Sequence, residues 1–425
     1  MMGRIRTWSV VGLATVATLT FTVGPVAAAD PVVPTGETGS VGGSGATFPA
    51  LLYKAWMASF SRKYPGTFDA SGDPTKGLVM SYNSVGSGAG KKNFYGSDAR
   101  KPAQMFSGTD ALLTNSDLSS ITSAVGSYVM IPTALGPVAI AYNLPNLKQK
   151  ISKTSTTTRV ASLFLDGPTL GAIYNGTITN WNDAKIKALN PLVVNLPSSR
   201  IEPVYRSDGS GTTFIFTSYL NKVSPVWTTA LASTPSQTLA DKISTMPSKA
   251  NAVGAPGNEG VSATVSQDTG AIGYVELAYA LQLGLKTAYM KTGDTTKAYF
   301  VPPTISGAQA AAAHAYVAGT ASDPVQPGTV ESGKFYQPVN QVGATSYPIS
   351  GYTWMLLYGD YKGSGANDPG LKKTQALVAW VQWALSAGGQ SLMSRIGYAP
   401  LPPVVASAAL TALHGVKYGG TAVWP

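Results

Sequence analysis

The chain has 425 residues, of which 44% are hydrophobic and 12% are charged, so it is long and apolar enough for two folded domains. Its formal net charge is +10 at pH 7, but its basic residues form no cluster of five or more, which argues against nucleic acid as a partner. Because the chain has no cysteine, it has neither disulfides nor a thiol for lipid attachment.

The first 29 residues have the pattern of a signal peptide. Arg4 and Arg6 form a short basic start, residues 10–23 are mostly apolar, and Ala27 and Ala29 supply the small residues that a signal peptidase reads. The apolar run is too short for a good transmembrane helix. We therefore predict cleavage after Ala29 and an exported protein, periplasmic or extracellular, that is not lipid-anchored.

The next segment, residues 30–42, contains Pro, Gly, Thr and Val in no periodic order and predicts a flexible leader. Regular structure is predicted to begin just after it, because Pro49 suits the first turn of a helix. The apolar residues that follow at helical spacing are Leu51, Leu52, Tyr53, Trp56, Met57 and Phe60.

The rest of the chain alternates predicted strands and helices. The predicted strands are, in chain order, 78–82, 137–142, 201–205 and 353–358, of which the second and fourth have the apolar character of fully buried strands. A long helix is predicted over 374–385, and the stretch 302–344, rich in Ala, Gly and Pro, is the least predictable. This alternation indicates an α/β fold.

Four short segments are rich in glycine and hydroxyl side chains, and three of them stand where a helix is predicted to begin. The first amides of a helix have no internal partner and lie at the positive end of its dipole, so helix starts bind oxyanions. One such turn is typical of an ordinary loop or cap, but three of them with one nearby arginine indicate an oxyanion site. The segments are Gly45-Ala46-Thr47-Phe48-Pro49, Val85-Gly86-Ser87-Gly88, Ser107-Gly108-Thr109-Asp110 and Arg206-Ser207-Asp208-Gly209-Ser210-Gly211-Thr212.

These segments make the chain resemble the phosphate-binding protein of the bacterial high-affinity ABC phosphate transporter, the PstS family. The likeness runs in the family's order from about residue 45 to the C-terminal region. The matching segments are Gly45-Ala46-Thr47-Phe48-Pro49-Ala50, Tyr82-Asn83-Ser84-Val85-Gly86-Ser87-Gly88, Asn175-Gly176-Thr177-Ile178-Thr179-Asn180-Trp181-Asn182-Asp183, Arg206-Ser207-Asp208-Gly209-Ser210-Gly211-Thr212-Thr213-Phe214 and Gly270-Ala271-Ile272-Gly273-Tyr274-Val275-Glu276.

The resemblance implies which residues bind phosphate. Backbone amides and hydroxyls are expected to donate hydrogen bonds, and Arg206 is expected to supply the full positive charge in a planar fork that suits two phosphate oxygens. Asp208 is expected to hold Arg206 rather than to contact the anion. The implied phosphate-binding residues are Thr47, Phe48, Ser87, Asp110, Arg206, Ser210, Gly211 and Thr212.

In this family an aspartate accepts a hydrogen bond from the proton that phosphate keeps at neutral pH, whereas sulfate has no such proton and meets a bare carboxylate. Two aspartates can take this role here, because the segment after Ser87 is longer than the family pattern and contains both Asp98 and Asp110. We prefer Asp110, since apolar residues flank it on both sides, while Asp98 stands in a basic, polar stretch.

The resemblance also implies a two-lobed periplasmic-binding-protein-like fold, with two α/β domains joined by two hinge crossings and the ligand in the cleft. We expect residues 43–140 plus 350–425 to form lobe 1 and residues 141–349 to form lobe 2, with crossings near 139–143 and 347–354. The implied ligand is mono- or dihydrogen phosphate, without a metal or other cofactor. The implied partner is an ABC-type phosphate permease in the membrane, and we expect a monomer.

Two other classes of function fit the sequence less well. An enzyme such as a secreted phosphatase requires metal ligands or a catalytic histidine, and the two histidines, His314 and His414, stand in contexts that suggest no active site. A Gly-x-Ser-x-Gly elbow and a His-Glu-x-x-His motif are both missing. A surface interaction protein that reuses the fold is the remaining alternative, but it does not account for a complete set of anion-site residues. We therefore predict a binding protein and not an enzyme.

Overall fold

The computed structural model describes residues 30–231, 234–243, 247–317 and 338–424. The predicted signal peptide, residues 1–29, lies outside the described residues, as does much of the stretch 302–344. In the part that is described, no helix combines the length and the apolar character needed to cross a membrane.

The chain alternates strands and helices, as the sequence predicts. The strands are β1 Gly39–Gly45, β2 Leu78–Ser84, β3 Phe106–Thr109, β4 Tyr128–Tyr142, β5 Lys148–Lys150, β6 Thr158–Val160, β7 Phe164–Leu165, β8 Glu202–Arg206, β9 Val253–Ala255, β10 Ala271–Glu276, β11 Lys286–Thr287, β12 Tyr289–Lys291, β13 Phe300–Val301, β14 Ser350–Tyr358, β15 Lys417–Tyr418 and β16 Thr421–Ala422.

The helices lie between and after these strands. They are α1 Ala50–Lys63, α2 Ser87–Tyr95, α3 Asn115–Val125, α4 Gly167–Asn175, α5 Ala184–Leu189, α6 Gly211–Val223, α7 Pro225–Leu231, α8 Ala240–Ile243, α9 Gly257–Gln267, α10 Leu277–Gln282, α11 Ile305–Val317, α12 Leu371–Leu385, α13 Ala387–Ile396 and α14 Pro403–Leu413, with short 3₁₀ turns at Pro247–Ala250 and Gly365–Asn367.

One nine-stranded sheet organises the molecule, with the strand order β2-β1-β3-β14-β4-β10-β8-β9 and β11 pairing with β4. Strand β1 runs parallel to both β2 and β3, and β8 runs parallel to both β10 and β9. We call β1, β2, β3 and β14 the first half-sheet and β8, β9, β10 and β11 the second half-sheet. The carboxyl ends of parallel strands meet at one edge of a sheet, so each half-sheet presents its strand-to-helix loops together.

Strand β4 joins the two half-sheets. Residues Tyr128 to Pro137 pair with β14, whereas Val138 to Tyr142 pair with β10. At the change of partner, the amide of Val138 donates to the carbonyl of Ile349, just before β14 begins. The chain therefore passes between the half-sheets inside β4, and a second connection lies beside it.

The apolar patterns of the sequence correspond to buried faces. The stretches 137–142 and 353–358 lie inside β4 and β14, and both are buried throughout. Helix α1 follows Pro49, and its apolar face packs on α12, where the rings of Tyr53 and Trp380 meet edge to face at 6.0 Å between centroids. Such aromatic pairs stabilise a core beyond the area they bury.

The predicted flexible leader over residues 30–42 is wrong at its C-terminal end. Residues Gly39 to Gly42 already belong to β1, which lies between β2 and β3 and pairs with β2 from Gly39 onward. The stretch before β1 also contacts the fold, since Lys373 pairs with Glu37 at 2.8 Å. The strand consists mainly of glycines and serines and has no alternating apolar pattern, because only Val41 supplies a large buried side chain.

Candidate anion-binding site

The predicted site residues lie in loops at the carboxyl ends of parallel strands. Thr47 and Phe48 follow β1, and Asp110 follows β3. Ser87 is the first residue of α2, which follows β2. From the second half-sheet, β8 ends at Arg206 and leads to Ser210, the N-cap of α6. The strand–turn–helix pattern of the sequence therefore brings these segments to one place.

Ser87 connects the two groups of loops. Its Oγ accepts the amide of Asp110 at 3.2 Å and the amide of Gly211 at 3.1 Å. A Cβ on Gly211 would lie 2.5 Å from Oδ2 of Asp110 and 2.6 Å from Oγ of Ser87, so this approach requires glycine. The start of α6 is thus in direct contact with the loops of the first half-sheet.

Arg206 is buried, with a side chain that is 1% exposed, and it forms an ion pair with Asp208. Its Nε donates to Oδ1 of Asp208 at 2.7 Å and its Nη2 donates to Oδ2 at 2.5 Å. Burial alone raises the pKa of Asp208, but the hydrogen bonds and charge of Arg206 outweigh it and lower the pKa below its usual range. The third nitrogen, Nη1, donates to Oγ1 of Thr212 at 3.4 Å.

Asp110 is fully buried, and neither of its carboxylate oxygens has a hydrogen-bond partner among the described residues. Burial raises the pKa of this carboxyl from 3.8 to about 7, against the smaller lowering effects of the nearby Thr353 hydroxyl and the Arg206 charge. A buried acceptor without a partner is costly unless a donor reaches it. Asp110 is therefore an acceptor that a protonated ligand oxygen can satisfy.

The rival aspartate, Asp98, lies elsewhere. Its side chain is 66% exposed and pairs with Lys101 at 2.6 Å on the surface. Of the two carboxylates, the structure brings only Asp110 to the cluster formed by Ser87 and Gly211.

The remaining predicted residues line the same region. Ser210 caps α6, because its Oγ accepts the amide of Thr213 at 3.1 Å. Phe48 is buried, and its carbonyl accepts the hydroxyl of Tyr398 at 2.6 Å. Thr47 and Thr212 are buried, and the hydroxyls of both accept Nδ2 of Asn258.

Two buried polar residues of this region were not predicted from the sequence. Asn258 lies in the first turn of α9, and Glu276 ends β10. Oε2 of Glu276 accepts the amide of Ala278, while Oε1 has no partner among the described residues. Burial, and to a smaller extent the charge of Asp110, raises the pKa of Glu276 well above its usual range. A polar residue after glycine at a helix start, as in Gly257-Asn258, is the signal that could have identified Asn258.

Metal ligation has no visible counterpart in this region. Within the described ranges, no three His, Cys, Asp or Glu side chains are grouped as a metal ion requires. The polar groups that converge are instead hydroxyls, helix-start amides, one guanidinium and the carboxylates of Asp110 and Glu276, a set in which donors outnumber acceptors.

Comparison with known proteins gives the family. The family model of the PBP superfamily domain matches residues 32–387. The phosphate-binding protein PstS of Xylella fastidiosa is 30% identical over 366 residues, which is 85% of this chain and 82% of that protein. The phosphate-binding protein PstS 3 of Mycobacterium leprae is 30% identical over 380 residues, which is 88% of this chain and 86% of that protein.

Solved structures share the fold at lower identity. The phosphate-binding protein of Stenotrophomonas maltophilia matches with a TM-score of 0.59 and 21% identity, over 88% of this chain and 93% of that one. A high-affinity periplasmic phosphate-binding protein, PfluDING, solved with phosphate bound, matches with a TM-score of 0.59 and 22% identity over the same shares. These likenesses show the two-lobed α/β fold of periplasmic binding proteins. With the family match over residues 32–387 and relatives at 30% identity, this chain belongs to the PBP superfamily and, within it, to the PstS-type phosphate-binding proteins.

Proposed function

We propose that this protein captures inorganic phosphate, as mono- or dihydrogen phosphate, in the cleft between its two lobes. The lobes are residues 43–140 plus 350–425 and residues 141–349, with β1 entering the first lobe from Gly39. The proposed ligands are Thr47, Phe48, Ser87, Asp110, Arg206, Ser210, Gly211 and Thr212, and Asp208 holds Arg206.

The observation that carries this proposal is the buried, unpartnered carboxylate of Asp110 among groups that donate hydrogen bonds. Hydroxyls, amides and Arg206 suit the ionised oxygens of the anion, and Asp110 suits the one oxygen that carries a proton. Charge-assisted hydrogen bonds contribute about 1.5–3 kcal/mol each. Micromolar binding requires only about 8 kcal/mol in total, so a handful of such bonds is enough after desolvation.

The biological role follows from the family. We propose that the protein is exported, that it works as a monomer without a cofactor, and that it delivers phosphate to an ABC-type permease. The relatives are phosphate-binding proteins by name rather than enzymes, which supports a transport role over catalysis.

The test is titration calorimetry of phosphate-stripped protein with phosphate and with sulfate at matched ionic strength. We expect one-to-one phosphate binding, micromolar or tighter, and sulfate binding weaker by about a thousandfold, because sulfate meets the Asp110 carboxylate without a proton between them. Absence of heat with phosphate from folded, stripped protein would overturn the proposal.

A further inference from the structure

Asn258 is fully buried, and every polar atom of its side chain has a partner. Its Nδ2 donates to Oγ1 of Thr47 at 2.8 Å and to Oγ1 of Thr212 at 3.2 Å. Its Oδ1 accepts the amide of Glu276 at 3.0 Å, which fixes the orientation of the side-chain amide. One amide group thus bridges a hydroxyl beside the first half-sheet and a hydroxyl beside the second.

These hydrogen bonds determine whether each of the two hydroxyls can donate or accept a further hydrogen bond. A hydroxyl has one proton and two lone pairs. Oγ1 of Thr47 accepts both the backbone amide of Asn258, at 3.2 Å, and its Nδ2. Oγ1 of Thr212 accepts Nδ2 of Asn258 and Nη1 of Arg206. With both lone pairs engaged, each hydroxyl has only its proton left to offer.

We infer that Asn258 is a positioning residue that makes Thr47 and Thr212 obligatory hydrogen-bond donors to the bound anion and ties their two lobes together around it. The inference rests on the proposed phosphate site and adds a residue that does not itself touch the anion. With Thr47 and Thr212 held as donors, the site favours ionised phosphate oxygens next to these two hydroxyls. The protonated phosphate oxygen is then expected next to Asp110.

The amide is essential to this role because a carboxylate would reverse it. In an ionised Asn258→Asp side chain the oxygen that replaces Nδ2 can only accept, so it attracts the protons of Thr47 and Thr212 away from the anion. The carboxylate also adds a negative charge next to the site. Asparagine and aspartate have nearly the same shape, so the change alters the hydrogen-bond direction rather than the packing.

The first experiment compares phosphate affinity in wild type and Asn258→Asp by titration calorimetry. Asn195→Asp serves as the matched control, because it adds the same charge at an exposed position. We expect Asn258→Asp to weaken binding by about a hundredfold or more, as for a buried like-charge contact, and Asn195→Asp to change it by less than about threefold. If wild type and Asn258→Asp bind phosphate equally well, the positioning role of Asn258 is refuted, whereas the proposed phosphate site is not.

A double-mutant cycle separates positioning from general stability and uses variants that add no charge. If Asn258 acts through Thr47, then Asn258→Ala should cost clearly less affinity in a Thr47→Val background than in wild type. The full cost should return in a Thr47→Ser background, since serine keeps the hydroxyl. Equal costs in all three backgrounds would overturn the inference, and a wild type without phosphate binding would instead refute the proposed function.

Discussion

At the scale of single residues, the site divides its polar groups by hydrogen-bond direction. The oxygens of Ser87, Thr47 and Thr212 each accept bonds from protein N–H groups, which leaves their protons for the ligand. Asp110 stands opposite, buried and able to accept. In the proposed site, this position takes the phosphate oxygen that carries a proton and excludes a fully ionised oxyanion.

Replacing this acceptor should narrow the preference for phosphate over sulfate. In Asp110→Asn the side chain carries no charge and offers an N–H, so sulfate loses its like-charge penalty, and the affinity ratio should shrink by about tenfold or more. Calorimetry with both anions measures the ratio at about pH 8, where a carboxyl with a pKa of about 7 is ionised.

Asp98→Asn is the control for the same experiment, because it removes the rival aspartate at the surface. It should leave the ratio of phosphate to sulfate affinity unchanged. If this ratio is unchanged in Asp110→Asn and smaller in Asp98→Asn, then Asp98 is the carboxylate that selects phosphate.

The raised pKa of Asp110 also predicts how the stability of the phosphate-free protein depends on pH. The unfolded chain releases this proton near 3.8, whereas the folded protein keeps it until about pH 7. Between those values the folded state binds more protons, so the free energy of unfolding falls as pH rises. Asp110→Asn removes this loss of stability at high pH, because asparagine does not titrate.

Urea unfolding of phosphate-stripped wild type and Asp110→Asn tests this point at about pH 4 and pH 8. The stability of the variant relative to wild type should rise by about 3 kcal/mol between these pH values, since one pKa unit corresponds to about 1.4 kcal/mol. Removing Asp110 also lowers the raised pKa of Glu276, because the Asp110 charge is one of its causes, and this change acts in the same direction. A difference that does not vary with pH would contradict the burial of an ionisable Asp110.

At the scale of elements, the strand–glycine–helix units could be predicted because their signals are local. Apolar runs mark β4 and β14, and the turn before α6 carries its glycines and hydroxyls within seven residues of sequence. The role of Asn258 could not be predicted in this way, since its partner Thr47 is 211 positions away. Strand β1 was missed because glycines leave its pairing without a side-chain pattern.

The missed strand leads to a prediction about truncation. A chain starting at Gly39 loses the contacts of residues 30–38, such as the ion pair of Glu37 with Lys373 and the packing of Val33 on the core, and should lose about 1 kcal/mol. A chain starting at Gly43 also loses half of β1 and the buried side chain of Val41, and should lose about 3 kcal/mol or more. Thermal unfolding of both truncations measures the difference.

Val41→Ala in the full chain measures the contribution of this side chain alone. Its loss of stability should lie between the losses of the two truncated chains. Two truncations of equal stability would show that residues 39–42 contribute nothing to the sheet.

At the scale of the whole molecule, the two half-sheets share β4, and their loops touch again at the proposed anion site. The amide of Gly88 donates to the carbonyl of Gly209 at 2.8 Å, and Oγ of Ser84 donates to Oε1 of Glu259 at 3.1 Å. The loops therefore meet in a closed arrangement around the residues that we propose bind phosphate. A shared strand permits a hinge, and an anion that binds both sides stabilises the closed state.

The contact between Gly88 and Gly209 offers a way to separate closure from folding. A Cβ on Gly88 would lie 3.1 Å from Cα of Gly209, and the branched side chain in Gly88→Val extends further into that backbone. Each lobe should still fold, so the unfolding temperature without phosphate should stay close to that of wild type. Phosphate affinity should fall by about tenfold or more, because the closed state becomes strained.

Small-angle scattering then reports closure directly. Wild type should become more compact when phosphate is added, and so should Gly66→Val, a control whose added side chain meets open space. Gly88→Val should keep the dimensions of the phosphate-free form at the same phosphate concentration. If Gly88→Val contracts and binds as wild type does, then the approach of Gly88 to Gly209 is not part of closure, and the lobes must come together through their other contacts, such as those of Ser87 with Gly211 and of Thr47 with Asn258.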